Sequence, residues 1–74
     1  MEFRHLRYFV DIAEEQSFTR AASRLHVAQP ALSRHMRNLE QELGVKLFRR
    51  HARGAEPTAA GRILYSTSIS LAAS

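Results

Sequence analysis

Apolar residues fall along this chain at helical spacing almost from its first residue. Phe3, Leu6, Phe9 or Val10, and Ala13 recur at intervals of three and four, with Arg4, Arg7, Asp11 and Glu14 on the other side. That spacing predicts an amphipathic helix over 3–15. Ser17 stands where an N-cap belongs, and "FTRAASRL" follows with Phe18, Ala21, Ala22 and Leu25 at i, i+3, i+4 and i+7. This second helix is short, and the alanines at its centre let another helix cross closely. After "HVA", which reads as a tight turn, a third helix is predicted over 29–43. Its stripe is Leu32, Met36, Leu39 and Leu43, which lie within about 60° of one another at about 100° per residue. Pro30 suits the first turn, where its missing N–H has no intrahelical use, and Gly44 suits the C-terminal cap.

The pattern then changes. "VKLFRRHARGAEPT" carries Leu47 and Phe48 as apolar anchors and "HARG" as a turn, which predicts a short, strongly basic two-stranded hairpin. Thr58 is an N-cap candidate for a last helix, "AAGRILYSTSISLAAS", whose Ile63, Leu64, Ile69 and Leu71 form a looser stripe. That helix closes without a glycine, a proline or a charged last turn. It reads as a helix cut mid-course, so a segment of something longer is expected.

At 74 residues, a single domain with a thin core is expected. There is no cysteine, which excludes a disulfide framework and thiolate chemistry. No apolar run approaches the ~20 residues of a membrane span. The opening "MEFRHLRYFV" lacks the apolar stretch of a signal peptide, so a cytoplasmic protein is expected. The net charge is +4, from eleven Lys and Arg against seven Asp and Glu. All the basic residues but Lys46 are arginine, whose planar fork suits phosphate and guanine edges.

Where the charges lie changes the picture more than their sum. No acid occurs between Glu15 and Glu40, a gap that holds Arg20, Arg24, Arg34 and Arg37. A second acid-free stretch, Leu43 to Ala55, holds Lys46, Arg49, Arg50 and Arg53. The third helix is polar or basic in its first half (Gln29, Ser33, Arg34, Arg37) and acidic in its second (Glu40, Glu42). Acids at that end have the wrong sign for the helix dipole and cost a few tenths to about 1 kcal/mol. A polyanion facing the first half alone is one explanation of the split; a solvated amphipathic helix whose charges fell this way by chance is the other.

A short helix, a tight turn and a longer helix have the proportions of a helix-turn-helix. In that motif the start of the longer helix enters the major groove. Pro30, Ser33, Arg34 and Arg37 lie broadly opposite the leucine stripe, with Gln29 at the tip. Pro30 offers an apolar surface to a thymine methyl, Ser33 permits close approach, and Arg34 reaches a guanine or a phosphate. Orphan N–H groups at the starts of the second and third helices suit phosphate. The basic hairpin is then a wing. Arg53 near its tip can enter the minor groove, while Arg49 and Arg50 suit phosphate. Strand alternation turns one of those two against the protein.

The stretches "LRYFVDIAEEQSFTRAASRLHVAQPALSRHMRNLEQELGVKLFRR" and "PTAAG" resemble the N-terminal DNA-binding region of LysR-type transcriptional regulators, from Met1 to about Gly61. The resemblance implies a mainly α fold: a winged helix-turn-helix over 1–58, with three helices and a short two-stranded wing. A linker helix then begins over 59–74 and pairs with its twin. It implies a bacterial homodimer on interrupted-palindrome double-stranded DNA, with tetramers among the complete proteins. It implies a separate periplasmic-binding-protein-like domain for a small-molecule effector, outside these residues, and no cofactor within them. By motif match, Gln29, Pro30, Ser33 and Arg34 read the major groove and Arg53 the minor groove. Ser17, Thr19, Arg37, Arg50 and Thr58 match phosphate contacts. One departure is Ala28, where the family often has Ser or Thr; a side-chain cap on the third helix, worth about 1 kcal/mol, is not expected. The turn "LHVA" has no glycine, as is common in this family.

Two other readings stand beside this one. A helical interaction module, its last helix paired with another chain, accounts for the amphipathic tail but not for the two acid-free stretches. A winged-helix regulator of another family, MarR-like, accounts for both but makes the unfinished end a coincidence. Enzyme chemistry finds no support. The four histidines are scattered without a close ligand partner, there is no G-x-S-x-G, and the three glycines are isolated.

Overall fold

The helices form where spacing and caps predict them. A computed structural model describes residues 2–73, apart from the side chain of residue 73. Met1 and Ser74, the outer ends of the two predicted segments, lie outside the described residues. Helices α1 (Phe3–Glu15), α2 (Phe18–Leu25) and α3 (Gln29–Leu43) are followed by strands β1 (Phe48–His51) and β2 (Gly54–Pro57) and by α4 (Ala59–Ala73). Ser17 caps α2, its Oγ accepting the Arg20 N–H at 3.1 Å. Helix α3 starts at Ala28 without a side-chain cap and ends on Gly44 at φ 73°. The α2–α3 turn places His26 at φ 59°. Histidine enters that left-handed region more readily than most residues, which is how the turn dispenses with glycine.

The core gathers Phe9 and Ile12 of α1, Phe18, Ala21 and Ala22 of α2, Leu32, Met36 and Leu39 of α3, and Leu47, Phe48 and Ala55 of the wing. Phe48 joins the wing to the helices, its ring centroid 5.2 Å from Phe9 and 5.4 Å, edge-on, from Phe18. Five members of the predicted stripes are exposed outside this core: Phe3, Leu43, and Ile63, Ile69 and Leu71 of α4. Phe3 is 80% exposed and Leu43 39% exposed. At about 100° per residue, Phe3 and Ile12 lie about 180° apart, so α1 carries two apolar sides. Phe9 and Ile12 face the core; Phe3, Leu6 and Val10 line a cleft beside Ile69 and Leu71 of α4. Leu43 is the last helical residue before Gly44, beyond the part of α3 that the other elements cover.

Strands β1 and β2 pair antiparallel with Phe48 opposite Pro57, Arg49 opposite Glu56, Arg50 opposite Ala55 and His51 opposite Gly54. Backbone bonds tie the hairpin down at both ends. Ala55 N–H donates to the Gln16 carbonyl in the α1–α2 turn, and Thr58 N–H donates to the Leu47 carbonyl. Gly54 permits the first of these contacts, because a Cβ there would lie 2.3 Å from the Gln16 carbonyl oxygen. Thr58 completes the junction: its hydroxyl donates to the Lys46 carbonyl at 2.6 Å and accepts the Gly61 N–H at 3.1 Å, capping α4.

Candidate nucleic-acid interface

The first half of α3, the start of α2 and the wing form one basic face. Pro30, Arg34 and Arg37 are exposed on α3, Thr19 and Arg20 on α2, and Arg53 at the wing tip. Arg34, Arg37 and Arg53 make no ion pair among the described residues. Two of the other arginines in the acid-free stretches are matched by acids. Arg24 reaches back to Glu15 of α1 at 2.8 Å, so the gap in the sequence overstated its free charge. Arg49 pairs with Glu56 across the hairpin at 3.8 Å, a solvent-exposed contact worth little.

Two adjoining clefts collect most of the sequence-predicted residues. One, of about 280 Å³, is lined by Ser17, Thr19, Gln29, Arg50 and Arg53. The other, of about 540 Å³ between α3 and the wing, is lined by Ser33, Arg37, Arg50 and Thr58, with Lys46 and Arg49. Pro30 and Arg34 stand outside both clefts, on the outward side of α3. Arg50 belongs to both.

Two predicted placements change. Ser33 is only 6% exposed. It sits about 100° from Leu32 around the helix axis, on the flank of the leucine stripe rather than opposite it, and the wing covers that flank. Its Oγ accepts from Gln29 Nε2 at 3.0 Å and from Arg50 Nη2 at 2.8 Å. Of the two wing arginines, Arg50 is the one turned against the protein. It lies opposite the buried Ala55 and two residues from the buried Phe48, on the same face of the hairpin. Its guanidinium carbon stands 3.7 Å from the centre of the Phe18 ring, a cation–π contact. Thr58, predicted at a phosphate, has its hydroxyl occupied by the junction bonds already described.

Sequence reasoning passed over Glu40. Its Oε2 accepts the N–H groups of Leu47 at 2.7 Å and Phe48 at 3.3 Å, so an acid of the wrong sign for α3 holds the start of the wing. The misplaced charge was the available signal. Phe18 as a platform for Arg50 had none, because nothing in the sequence links those positions. Behind Arg34, the imidazoles of His35 and His5 stack at 4.6 Å, with Tyr8 5.9 Å from His35. Burial, then the nearby charges of His5, Arg4 and Arg34, hold His35 below the ordinary histidine value, and Glu2 opposes them.

Residues 3–62 match the family described as "bacterial regulatory helix-turn-helix protein, lysR family". The regulator BenM of Acinetobacter baylyi is 54% identical over 71 residues, covering 96% of this chain and 23% of BenM. ClcR of Pseudomonas putida is 51% identical over 78 aligned positions, covering 95% of this chain and 26% of ClcR. The chain thus spans about a quarter of the length of these relatives. The BenM DNA-binding domain in a crystal complex with catB site 1 DNA superposes with a TM-score of 0.92 at 52% identity, covering 99% of this chain and 82% of that one. The CbnR DNA-binding domain in its DNA complex superposes with a TM-score of 0.91 at 46% identity, covering 96% of this chain and 82% of that one. The chain belongs to the lysR family of bacterial regulatory helix-turn-helix proteins, and its fold is the winged helix-turn-helix of that family's DNA-binding domains.

Proposed function

We propose that this chain is the sequence-specific, duplex-DNA-binding part of a dimeric bacterial transcriptional regulator. The observation that carries the proposal is the continuous basic face built from the start of α2, the first half of α3 and the wing. On this reading α3 enters the major groove, with Gln29, Pro30 and Arg34 at base edges and the buried Ser33 behind them, and Arg53 at the wing tip enters the minor groove. Ser17, Thr19, Arg37, Arg50 and Thr58 face phosphates. Arg50 keeps further N–H groups for a phosphate beside the one given to Ser33. Thr58 serves through its place in the cleft, since its hydroxyl is bonded.

The remaining parts of the proposal follow from the family. The winged helix-turn-helix occupies 1–58, and 59–74 begins a linker helix that joins two copies on an interrupted palindrome. Tetramers are the larger assembly. The domain works in the cytoplasm, needs no cofactor and catalyses no reaction; a small-molecule effector binds elsewhere in the complete regulator. No helix among the described residues is long and apolar enough to cross a membrane.

The test is binding to the catB site 1 duplex that the BenM domain binds, against a scrambled duplex, across a salt series. Selective binding that weakens steeply with salt is expected, the slope giving the number of phosphates neutralised. Arg34→Ala costs about 1–3 kcal/mol and relaxes preference at one position of each half-site. Equal binding to both duplexes at every salt concentration counts against sequence-specific reading by this chain.

A further inference from the structure

We infer that Arg50 is a positioning residue for base reading: laid on the Phe18 ring and bonded to Ser33, it holds the hydroxyl that in turn holds the Gln29 amide. The inference rests on the major-groove reading of Gln29 proposed above. The chain of contacts is continuous. The Arg50 guanidinium lies 3.7 Å over the Phe18 ring, its Nη2 donates to Ser33 Oγ at 2.8 Å, and Gln29 Nε2 donates to the same oxygen at 3.0 Å.

A hydroxyl oxygen offers two lone pairs, and here both are taken. Ser33 sits at 6% exposure between helix and wing, held from both sides by these two donors. Its oxygen is therefore a fixed acceptor, and the Gln29 amide anchored to it has one N–H committed. The second N–H and the carbonyl oxygen remain, which is the pair that recognises adenine N7 and N6. A glutamine at a helix tip ordinarily has many rotamers, and ordering them weakens the contact with the matching base only. Without the anchor, the mismatched complex loses nothing, so the loss appears as discrimination rather than as general affinity.

Arg50 suits this task where lysine does not. A planar guanidinium can lie flat on a ring and donate in its own plane at the same time; an ammonium cannot. The wing's register supplies the orientation, since Arg50 lies opposite the buried Ala55 and shares the inward face of the hairpin with Phe48. The contact also joins the two DNA-reading elements, so a residue on the wing sets the behaviour of a residue on α3.

The experiment uses the 74-residue chain and a pool of duplexes randomised over about 20 base pairs, the length of two half-sites. The pool is sequenced before and after binding, for wild type, R50K, Q29A and the double variant. Q29A should flatten preference at one position of each half-site. R50K should flatten the same position by about 2- to 12-fold, the scale of freeing one rotamer-rich side chain. It should leave the relative base preferences at other positions unchanged; overall affinity is not the readout, because Arg50 also faces a phosphate. The double variant should add nothing at that position.

If Q29A flattens a position and R50K leaves it sharp, or if R50K flattens all positions evenly, the inference is overturned while the base-reading proposal stands. If Q29A flattens nothing, both fall. A second readout in the free protein separates positioning from folding. The Gln29 side-chain amide should give an ordered NMR signal in wild type and lose that order in R50M, which keeps apolar cover on Phe18 but removes the donor. An unchanged signal in R50M overturns the inference.

Discussion

The lowered His35 value predicts that the stability of α3 depends on pH. The His35 ring is stacked on His5 at 4.6 Å and flanked by Tyr8, while Arg4, Arg34 and Glu2 supply the charges that reach it from α1 and α3. The Nε2 of His5 is buried with no hydrogen-bond partner among the described residues, and Glu2 stands 3.9 Å away, beyond hydrogen-bond reach. Because folding depresses the His35 value, the unfolded chain binds a proton more readily than the folded one. The stability of the neutral form is then fully present above the ordinary histidine value of about 6.5 and is lost as pH falls from there through the folded value. Urea midpoints measured at about pH 7.5 and about pH 5.5 should fall towards acid, and His35→Gln should shrink that fall. An equal fall in wild type and variant assigns the pH dependence to other groups.

At the scale of the elements, the α4 contact turns on a residue without a side chain. A Cβ on Gly61 would lie 2.3 Å from the Leu47 carbonyl oxygen and 3.2 Å from Pro57 Cβ. In an open helix, Gly→Ala stabilises by about 1 kcal/mol. Here overpacking against backbone reverses the sign, and Gly61→Ala should destabilise by about 1–3 kcal/mol in urea unfolding. A gain in stability would show that α4 sits further from the wing than the structure has it. The contrast explains what the sequence made legible. Element boundaries, the Ser17 and Thr58 caps and the turn of the wing were readable because each depends on neighbours within about four residues. The Gly61 contact, the Glu40 carboxylate on the wing's first amides and the Arg50–Phe18 stack were not. Each joins positions whose distance is set only once the helices pack. Ser33 was misplaced for a related reason: its angle on α3 was known, but the wing that covers that flank was not. The place of Phe3 was not legible either, because α1 has two apolar sides and spacing alone does not say which one meets the core.

For the whole molecule, the second apolar side of α1 points to a partner. Phe3 is 80% exposed, Ile63 70% and Leu71 68%, and Phe3, Leu6, Val10, Ile69 and Leu71 line a cleft of about 250 Å³ between α1 and α4. Two of the polar residues on α4 are turned inward along its own backbone: Thr67 donates to the Ile63 carbonyl and Ser68 to the Leu64 carbonyl. The exposed side chains of α4 include Ile63, Ile69 and Leu71. Tyr65 donates to Glu14 at 2.9 Å and links α4 to α1, whose apolar edges line the same cleft. This apolar strip lies away from the basic face, as a dimer must if both copies are to read DNA at once. Leu71→Glu places a charge in it without touching α3 or the wing. Sedimentation equilibrium should show the variant dissociating at concentrations where wild type associates. Its affinity for a single half-site should be unchanged, while its affinity for the full interrupted palindrome falls towards that of the half-site as the effective-concentration advantage is lost. If Leu71→Glu associates as wild type does and binds the palindrome as tightly, the pairing of two copies lies elsewhere than on this strip.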